Sequence, residues 1–320
     1  KTERNKMKKI LVTGAFGLVG SDLVPELQKR FGKENIFAMG NKTIPEEFDG
    51  NLVRGDVTDI AALETIIKDN QITEVYHLAW LLSVAGEKNP DLAWKVNFDG
   101  LKNVLDLAKI YKFKVFFPSS IAAFGPTTPK INTPQHTSLE PTTIYGIGKV
   151  AGELMCQYYW KRWGVDARSL RYPGLTGYKA PPGDGTTEYS VHIFYGLLNE
   201  GKYSCFLKKD TRLPMMYIDD AIKGTIDLME APAENISVRT SYNFGAINFT
   251  PEELVAEIKK LYPDFVCTYD PDPVKQAIAE SWPESIDDSQ AQKDWGWMPE
   301  FDLPKMTLTM IEGLKKKLGK

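Results

Sequence analysis

Lys9-Ile-Leu-Val-Thr-Gly-Ala-Phe-Gly-Leu-Val-Gly20 is the stretch whose reading decides the fold. Lys9–Thr13 is a short, apolar, β-branched run, the pattern of a strand buried in a parallel sheet. Leu18, Leu23, Leu27 and Phe31 then mark one face of a helix. Gly14, Gly17 and Gly20 therefore stand at a strand–turn–helix junction, with Phe16, Leu18 and Val19 beside them. At such a junction glycines allow a tight turn and close backbone approach. The helix N-terminus offers free N–H groups to a pyrophosphate. The G-x-x-G-x-x-G spacing has one loop residue more than G-x-G-x-x-G, and a plain packing turn is the bland alternative. The strand before and the helix after favour a dinucleotide.

Working outward, Asn35–Met39 reads as a second strand. A dinucleotide-binding unit usually carries an acid at the end of this strand for the adenosine ribose. Here Gly40-Asn41-Lys42 follows; Asn41 can hydrogen-bond a ribose, and Lys42 can attract a 2′-phosphate. NAD is favoured over NADP. Asn51–Arg54 is a third strand leading to Asp56-Val57. Asp56 suits an adenine amino group, or simply caps the helix that follows at Asp59. Glu74–Ala79 is a fourth strand, with Leu78 and Ala79 at its C-terminal end, where ligands bind in such sheets. Trp80 follows, bulky for a loop beside a cofactor, and then Ser83, a candidate substrate contact. Pro90–Tyr111 is helical and contains Asn97, a polar residue that needs partners if buried. Lys114–Pro118 is a fifth strand running into Ser119-Ser120. Pro126–Pro141 is rich in Pro and Thr and reads as a surface loop. Thr142–Trp163 is a long helix, and Val165–Tyr172 is the sixth strand.

That long helix carries Tyr145-Gly-Ile-Gly-Lys149. Four residues apart, the Tyr and Lys side chains share one helix face. A free phenol has a pKa of ~10, and a nearby ammonium favours the phenolate. The pair then suits removal of a hydroxyl proton while hydride leaves the attached carbon. Ser120 is placed to hydrogen-bond the same hydroxyl.

Composition bounds the alternatives. Hydrophobic residues at 42% and charged residues at 25% fit a soluble chain with a sizeable core. A net charge of -3 gives no electrostatic case for nucleic acid or a membrane surface. Cys156, Cys205 and Cys267 form neither a disulfide framework nor a metal knuckle, which points to a reducing compartment. The three histidines lack ligand spacing, so no metal is expected. Met7 can be the native start, with Lys1–Lys6 a remnant.

The glycine turn, Asp56-Val57, Ser119-Ser120 and Tyr145-x-x-x-Lys149 together resemble an extended short-chain dehydrogenase/reductase. Leu81–Pro90, Ile121–Gly125, Ser169–Gly174, Gly185–Tyr189, Leu213–Tyr217, Ser281–Ser285 and Asp287–Gly296 narrow the resemblance to the L-threonine 3-dehydrogenases of this type. It runs from about Lys8 to the C-terminal helix. What it implies is NAD-dependent oxidation of L-threonine to 2-amino-3-oxobutyrate. Tyr145 is then the base, Lys149 holds the ribose and tunes Tyr145, and Ser120 stands where the family usually has threonine. Ser83, Ser120, Tyr145, Gly185, Thr186 and Thr187 bind the amino acid. Gly14, Phe16, Gly17, Leu18, Val19, Gly20, Asn41, Asp56, Val57, Leu78, Ala79, Asn97, Tyr145, Lys149 and Tyr172 line the cofactor. A homodimer through the helices Pro90–Tyr111 and Thr142–Trp163 is also implied, in the cytoplasm, or in the mitochondrial matrix of a eukaryote. The chain departs from the family at Gly40-Asn41, at Trp80 in place of a small residue, and at Gly148 in place of Thr or Ser.

The expected fold is thus α/β: a doubly wound parallel sheet (Rossmann) over residues 8–172 with a smaller C-terminal α/β substrate lobe, 173–320. Segments near 214–245 return to the first lobe. In the second lobe Ala180–Thr187 is a Pro/Gly-rich loop suited to close over a small substrate. Either Thr186 or Thr187 can instead be a helix cap. Thr250-Pro-Glu-Glu starts a helix. Trp282, Trp295 and Trp297 are expected to close this lobe's core. A nucleotide-sugar epimerase or dehydratase of the same fold is the alternative activity. Its typical Arg-Tyr-Phe-Asn after the sixth strand is here Arg171-Tyr-Pro-Gly174. A non-catalytic member of the fold is expected to lack Tyr145 or Lys149, and both are present.

Overall fold

The structure, a computed structural model, describes residues 8–41, 44–81 and 83–320, without the side chains of residues 83–85. The expectations for Lys1–Met7, for Lys42 and for the Ser83 side chain lie outside the described residues. Strands β1 (Ile10–Thr13), β2 (Ile36–Gly40), β3 (Asn51–Arg54), β4 (Glu74–His77), β5 (Lys114–Ser120) and β6 (Ala167–Tyr172) join a short late strand, β10 (Tyr242–Asn243), in one seven-stranded sheet. From one edge the order is β3, β2, β1, β4, β5, β6, then Tyr242–Asn243. β1 pairs in parallel with both β2 and β4. The chain direction across the sheet therefore reverses between β1 and β4, and the crevice of a doubly wound sheet opens at that point.

Helices alternate with these strands: α1 (Gly20–Phe31), α2 (Ile60–Asp69), α3 (Ser83–Lys88), α4 (Pro90–Trp94), α5 (Gly100–Tyr111) and α6 (Ile144–Trp163). The long helix expected from Pro90 to Tyr111 contains a π-helical turn at Lys95–Asp99 between α4 and α5. Thr143 caps α6, accepting from the Gly146 N–H at 3.1 Å. The core on this side of the sheet joins Leu11, Val75, Val115 and Phe117 to Leu63, Leu101, Leu105 and Cys156 from the helices.

Two compact units result. The first gathers the described residues through Ser120 with Thr142–Arg171 and Thr225–Tyr242; the second gathers Ile121–Pro141, Tyr172–Gly224 and Asn243–Lys320. In the second unit β7 (Gly174–Thr176), β9 (Leu213–Tyr217) and β11 (Ile247–Phe249) form one small sheet, while β8 (Lys202–Cys205) pairs with β12 (Val266–Tyr269). Met215 and Met216 are wholly buried, as expected of core residues. The 126–141 segment is not merely a surface loop. Thr128 and Thr133 are buried, Thr133 bridges Ile286, and a Cβ on Gly125 would meet the Glu140 carbonyl oxygen at 1.9 Å. Trp297 is buried against Phe244, ring centroids 4.4 Å apart, with Trp295 beside it. Trp282 instead is half-buried at the rim of a cavity. Thr250 caps the helix expected to start there, in a capping box with Glu253. No helix among the described residues is long and apolar enough to cross a membrane.

Candidate active site

Within the first unit, the turn after β1 and the chain after β4 meet closely. Gly14 adopts φ +67°, and a Cβ there would meet the Ala79 nitrogen at 2.7 Å and the Leu78 carbonyl carbon at 2.8 Å. Only glycine satisfies both the left-handed backbone and this approach. A Cβ on Gly20 would fall 2.5 Å from the Ala15 carbonyl oxygen, so the start of α1 lies directly on the turn. Gly17 is different: the nearest atom to a Cβ there is 3.4 Å away. Among the described residues no side chain caps the N-terminus of α1 at Val19. A helix start without a side-chain cap, fronted by glycines, is the donor set a pyrophosphate requires, so these residues fit a dinucleotide. Phe16 packs edge-on against Phe48 at 5.4 Å and closes on Gly40, the last residue of β2.

Asp56 accepts from the Thr58 N–H at 2.9 Å, from the Thr58 hydroxyl at 2.8 Å and from the Asn41 amide at 3.0 Å. These bonds, the backbone one first, hold its carboxyl below the usual range. The helix cap is Asp59, which accepts from the Ala62 N–H at 3.0 Å, so the capping alternative for Asp56 falls away. Asn41 and Asp56 thus form one polar edge at the ends of β2 and β3. Val57 is buried, and its carbonyl accepts from Asn103. Leu78 and Ala79 are tied to β1 through the Thr13 carbonyl at 3.0 Å and the Thr13 hydroxyl at 3.3 Å. Asn97 is buried in the π-helical turn, and its partners are backbone: it accepts from the Leu81 N–H at 2.6 Å and donates to the Leu81 carbonyl at 3.1 Å. Its amide is committed to fixing that loop.

Tyr145 and Lys149 lie on one face of α6 as their spacing requires. Ser120, at the end of β5, hydrogen-bonds the Tyr145 phenol. Lys149 is 2% exposed and donates to the Pro118 carbonyl at 2.5 Å. Its Nζ stands 4.0 Å from the Trp80 ring centroid and 5.2 Å from that of Tyr145. One expectation is reversed here. The phenol is not made more acidic by its neighbour: burial pushes Tyr145 up to about 12, and the Ser120 hydrogen bond only partly opposes this. Burial likewise holds the Lys149 amine well below its ordinary value, with Glu153 pulling the other way.

Glu153, one turn beyond Lys149, is wholly buried. It accepts from Ser119 at 2.5 Å and from both arms of Arg171, at 3.0 and 2.7 Å. Its only trace in the sequence is its place four residues after Lys149, an inward-facing position where a carboxylate needs a partner. His77 is wholly buried; its Nδ1 lies 3.0 Å from the Thr13 hydroxyl.

In the second unit, Tyr172 is buried with its ring 5.8 Å from Phe244. Thr186 is buried and Thr187 half-buried in the turn after Gly185. Neither caps the following helix (Tyr189–Glu200), whose N-cap is Glu188 without a side-chain bond. The Gly183 N–H donates to Glu188 at 3.2 Å, and His192 Nε2 lies 3.0 Å from the Gly183 carbonyl oxygen. A cavity of about 230 Å³ in this unit is lined by Lys130, Lys208, Arg212, Gln276, Glu280 and Trp282 among others, and contains none of the expected site residues.

The pattern of the NAD dependent epimerase/dehydratase family matches residues 10–245. The mitochondrial L-threonine 3-dehydrogenase of Bos taurus is 48% identical over 306 residues, 95% of this chain and 82% of that protein. The crystal structure of L-threonine dehydrogenase from Phytophthora infestans superposes with a TM-score of 0.94 at 48% identity, covering 97% of this chain and all of that one. A monomeric L-threonine 3-dehydrogenase from a metagenome, in its apo form, gives 0.92 at 48% identity, covering 96% of this chain and 99% of that one.

Proposed function

The chain belongs to the NAD-dependent epimerase/dehydratase family, and we propose that it is an NAD-dependent L-threonine 3-dehydrogenase. The observation that carries the chemistry is the Ser120–Tyr145–Lys149 cluster on the same unit as the glycine turn. The activity is supported by near-full-length similarity to threonine dehydrogenases at 48% identity.

Gly14, Gly17 and Gly20, with Leu18 and Val19 just before α1, hold the pyrophosphate. Phe16, Asn41, Asp56 and Val57 take the adenosine side, and Leu78, Ala79, Lys149 and Tyr172 the nicotinamide side, with Asn97 supporting that side by fixing Leu81. NAD, when bound, supplies the hydride acceptor. Tyr145 takes the proton of the threonine hydroxyl as the hydrogen on that carbon departs with its electron pair, leaving the 3-oxo group of 2-amino-3-oxobutyrate. Ser120 orients the hydroxyl; Ser83, Gly185, Thr186 and Thr187 hold the amino acid. Because the buried phenol sits at about 12, threonine oxidation should climb through the alkaline range as the phenolate becomes accessible.

We place the protein in the cytoplasm, or in the mitochondrial matrix if its source is a eukaryote, which the name of the bovine relative supports. A homodimer is supported by exposed Ile147, Leu154 and Tyr158 on α6 and by Leu92 and Trp94 on α4; the monomeric relative makes sedimentation at micromolar concentration the test of assembly. The activity test is direct. Purified protein with L-threonine and NAD should raise absorbance at 340 nm. Tyr145→Phe should abolish the signal, a loss of at least about 100-fold, while NAD binding persists. Turnover of a nucleotide sugar without threonine oxidation would replace this activity with the epimerase alternative.

A further inference from the structure

Gly148, on the catalytic helix, and Trp80, after β4, meet in space. A Cβ on Gly148 would fall 3.2 Å from Trp80 Cζ2 and 3.9 Å from its Cη2. The first distance is closer than ordinary van der Waals contact. The ring also has Phe117 close by, with centroids 5.2 Å apart and planes at 51°. One residue further on, Asn97 fixes the Leu81 backbone with two hydrogen bonds. Trp80 is therefore contacted on the Gly148 and Phe117 sides and held from its own backbone.

What the ring faces is Lys149. The Nζ lies 4.0 Å from the Trp80 centroid and 5.0 Å from that of Phe117, and it donates to the Pro118 carbonyl. An indole face is the strongest aromatic partner for a cation, more so where water is excluded. Among the described residues the indole Nε1 is buried without a hydrogen-bond partner. A tryptophan placed only to fill space usually finds one. The orientation is accounted for by its face rather than by its N–H.

We propose that Trp80 is a positioning residue for the Lys149 Nζ, and that Gly148 supplies the space its ring occupies. The pair is one feature: the large residue at 80 requires the small one at 148. Its consequence for cofactor binding rests on the proposed role of Lys149 at the nicotinamide ribose; the steric pairing does not.

The test combines a stability cycle with binding and turnover on the full chain. Alanine is a better helix residue than glycine. Gly148→Ala should therefore raise the melting temperature in a Trp80→Leu background and lower it when Trp80 is present. Trp80→Leu keeps apolar bulk but removes the ring face. It should weaken NAD binding, measured by calorimetry, and slow threonine oxidation by roughly 3- to 30-fold in total. Trp80→Phe should recover most of that loss. If Trp80→Leu does not fold, Trp80→Phe with and without Gly148→Ala provides the same cycle, because the smaller ring relieves the contact. An identical effect of Gly148→Ala in both backgrounds would overturn the steric pairing. A lower melting temperature in Trp80→Leu with NAD affinity and turnover unchanged would overturn the positioning role. Should the wild type bind no NAD, the proposed activity fails, and the cycle still decides the pairing.

Discussion

Acid should loosen the first unit through one side chain, His77. It ends β4, immediately before Leu78 and Ala79, and is wholly buried beside Thr13. Burial, with the nearby Lys149 charge adding to it, depresses its pKa from 6.5 to about 3. The folded chain therefore keeps the ring neutral where the unfolded chain protonates it. Stability is complete above about pH 6.5 and is lost as the pH falls toward 3. At about 1.36 kcal/mol per pH unit, roughly 2 kcal/mol is gone at pH 5. Carboxyls such as Glu74, raised by burial, also respond to acid, so the contribution of His77 has to be isolated as a difference. His77→Asn keeps a polar atom near Thr13 but has no proton to gain. Urea unfolding of both proteins at pH 7.5 and pH 5 gives two pH slopes. The variant should be less stable at pH 7.5, yet lose about 2 kcal/mol less than the wild type on acidification. Equal slopes, or an NMR titration of His77 centred near 6.5, would refute the reasoning.

Two further perturbations address the cradle and its support. Gly14→Ala puts a side chain on a left-handed backbone and 2.7 Å from the Ala79 nitrogen. The backbone strain alone costs about 1–2 kcal/mol, and NAD affinity should fall at least about tenfold, read by quenching titration; unchanged affinity would remove the turn from the cofactor site. Glu153→Gln leaves Arg171 buried without its countercharge, which should cost about 3–5 kcal/mol in unfolding free energy. A loss under about 1 kcal/mol would mean the pair is not desolvated as the geometry indicates.

Much of this fold was legible in local chemistry. A β-branched run before spaced glycines fixes a strand, a turn and a helix because each answers to short-range sterics and hydrogen bonding. Thr250 marks a helix start for the same reason. The Tyr145–Lys149 spacing needs only helical periodicity to bring both side chains to one face.

The tertiary structure decided what depends on distant neighbours. The π-helical turn at Lys95–Asp99 is explained by Asn97 reaching Leu81, a partner sixteen residues earlier. Trp80 and Gly148 are separate oddities along the chain and become one contact only when β4 and α6 are packed. The proton affinity of Tyr145 could not follow from spacing at all. Burial is the largest cause of the Tyr145 shift, and it outweighs the opposing Ser120 hydrogen bond. Periodicity places a side chain on a face; the rest of the molecule determines the medium it faces.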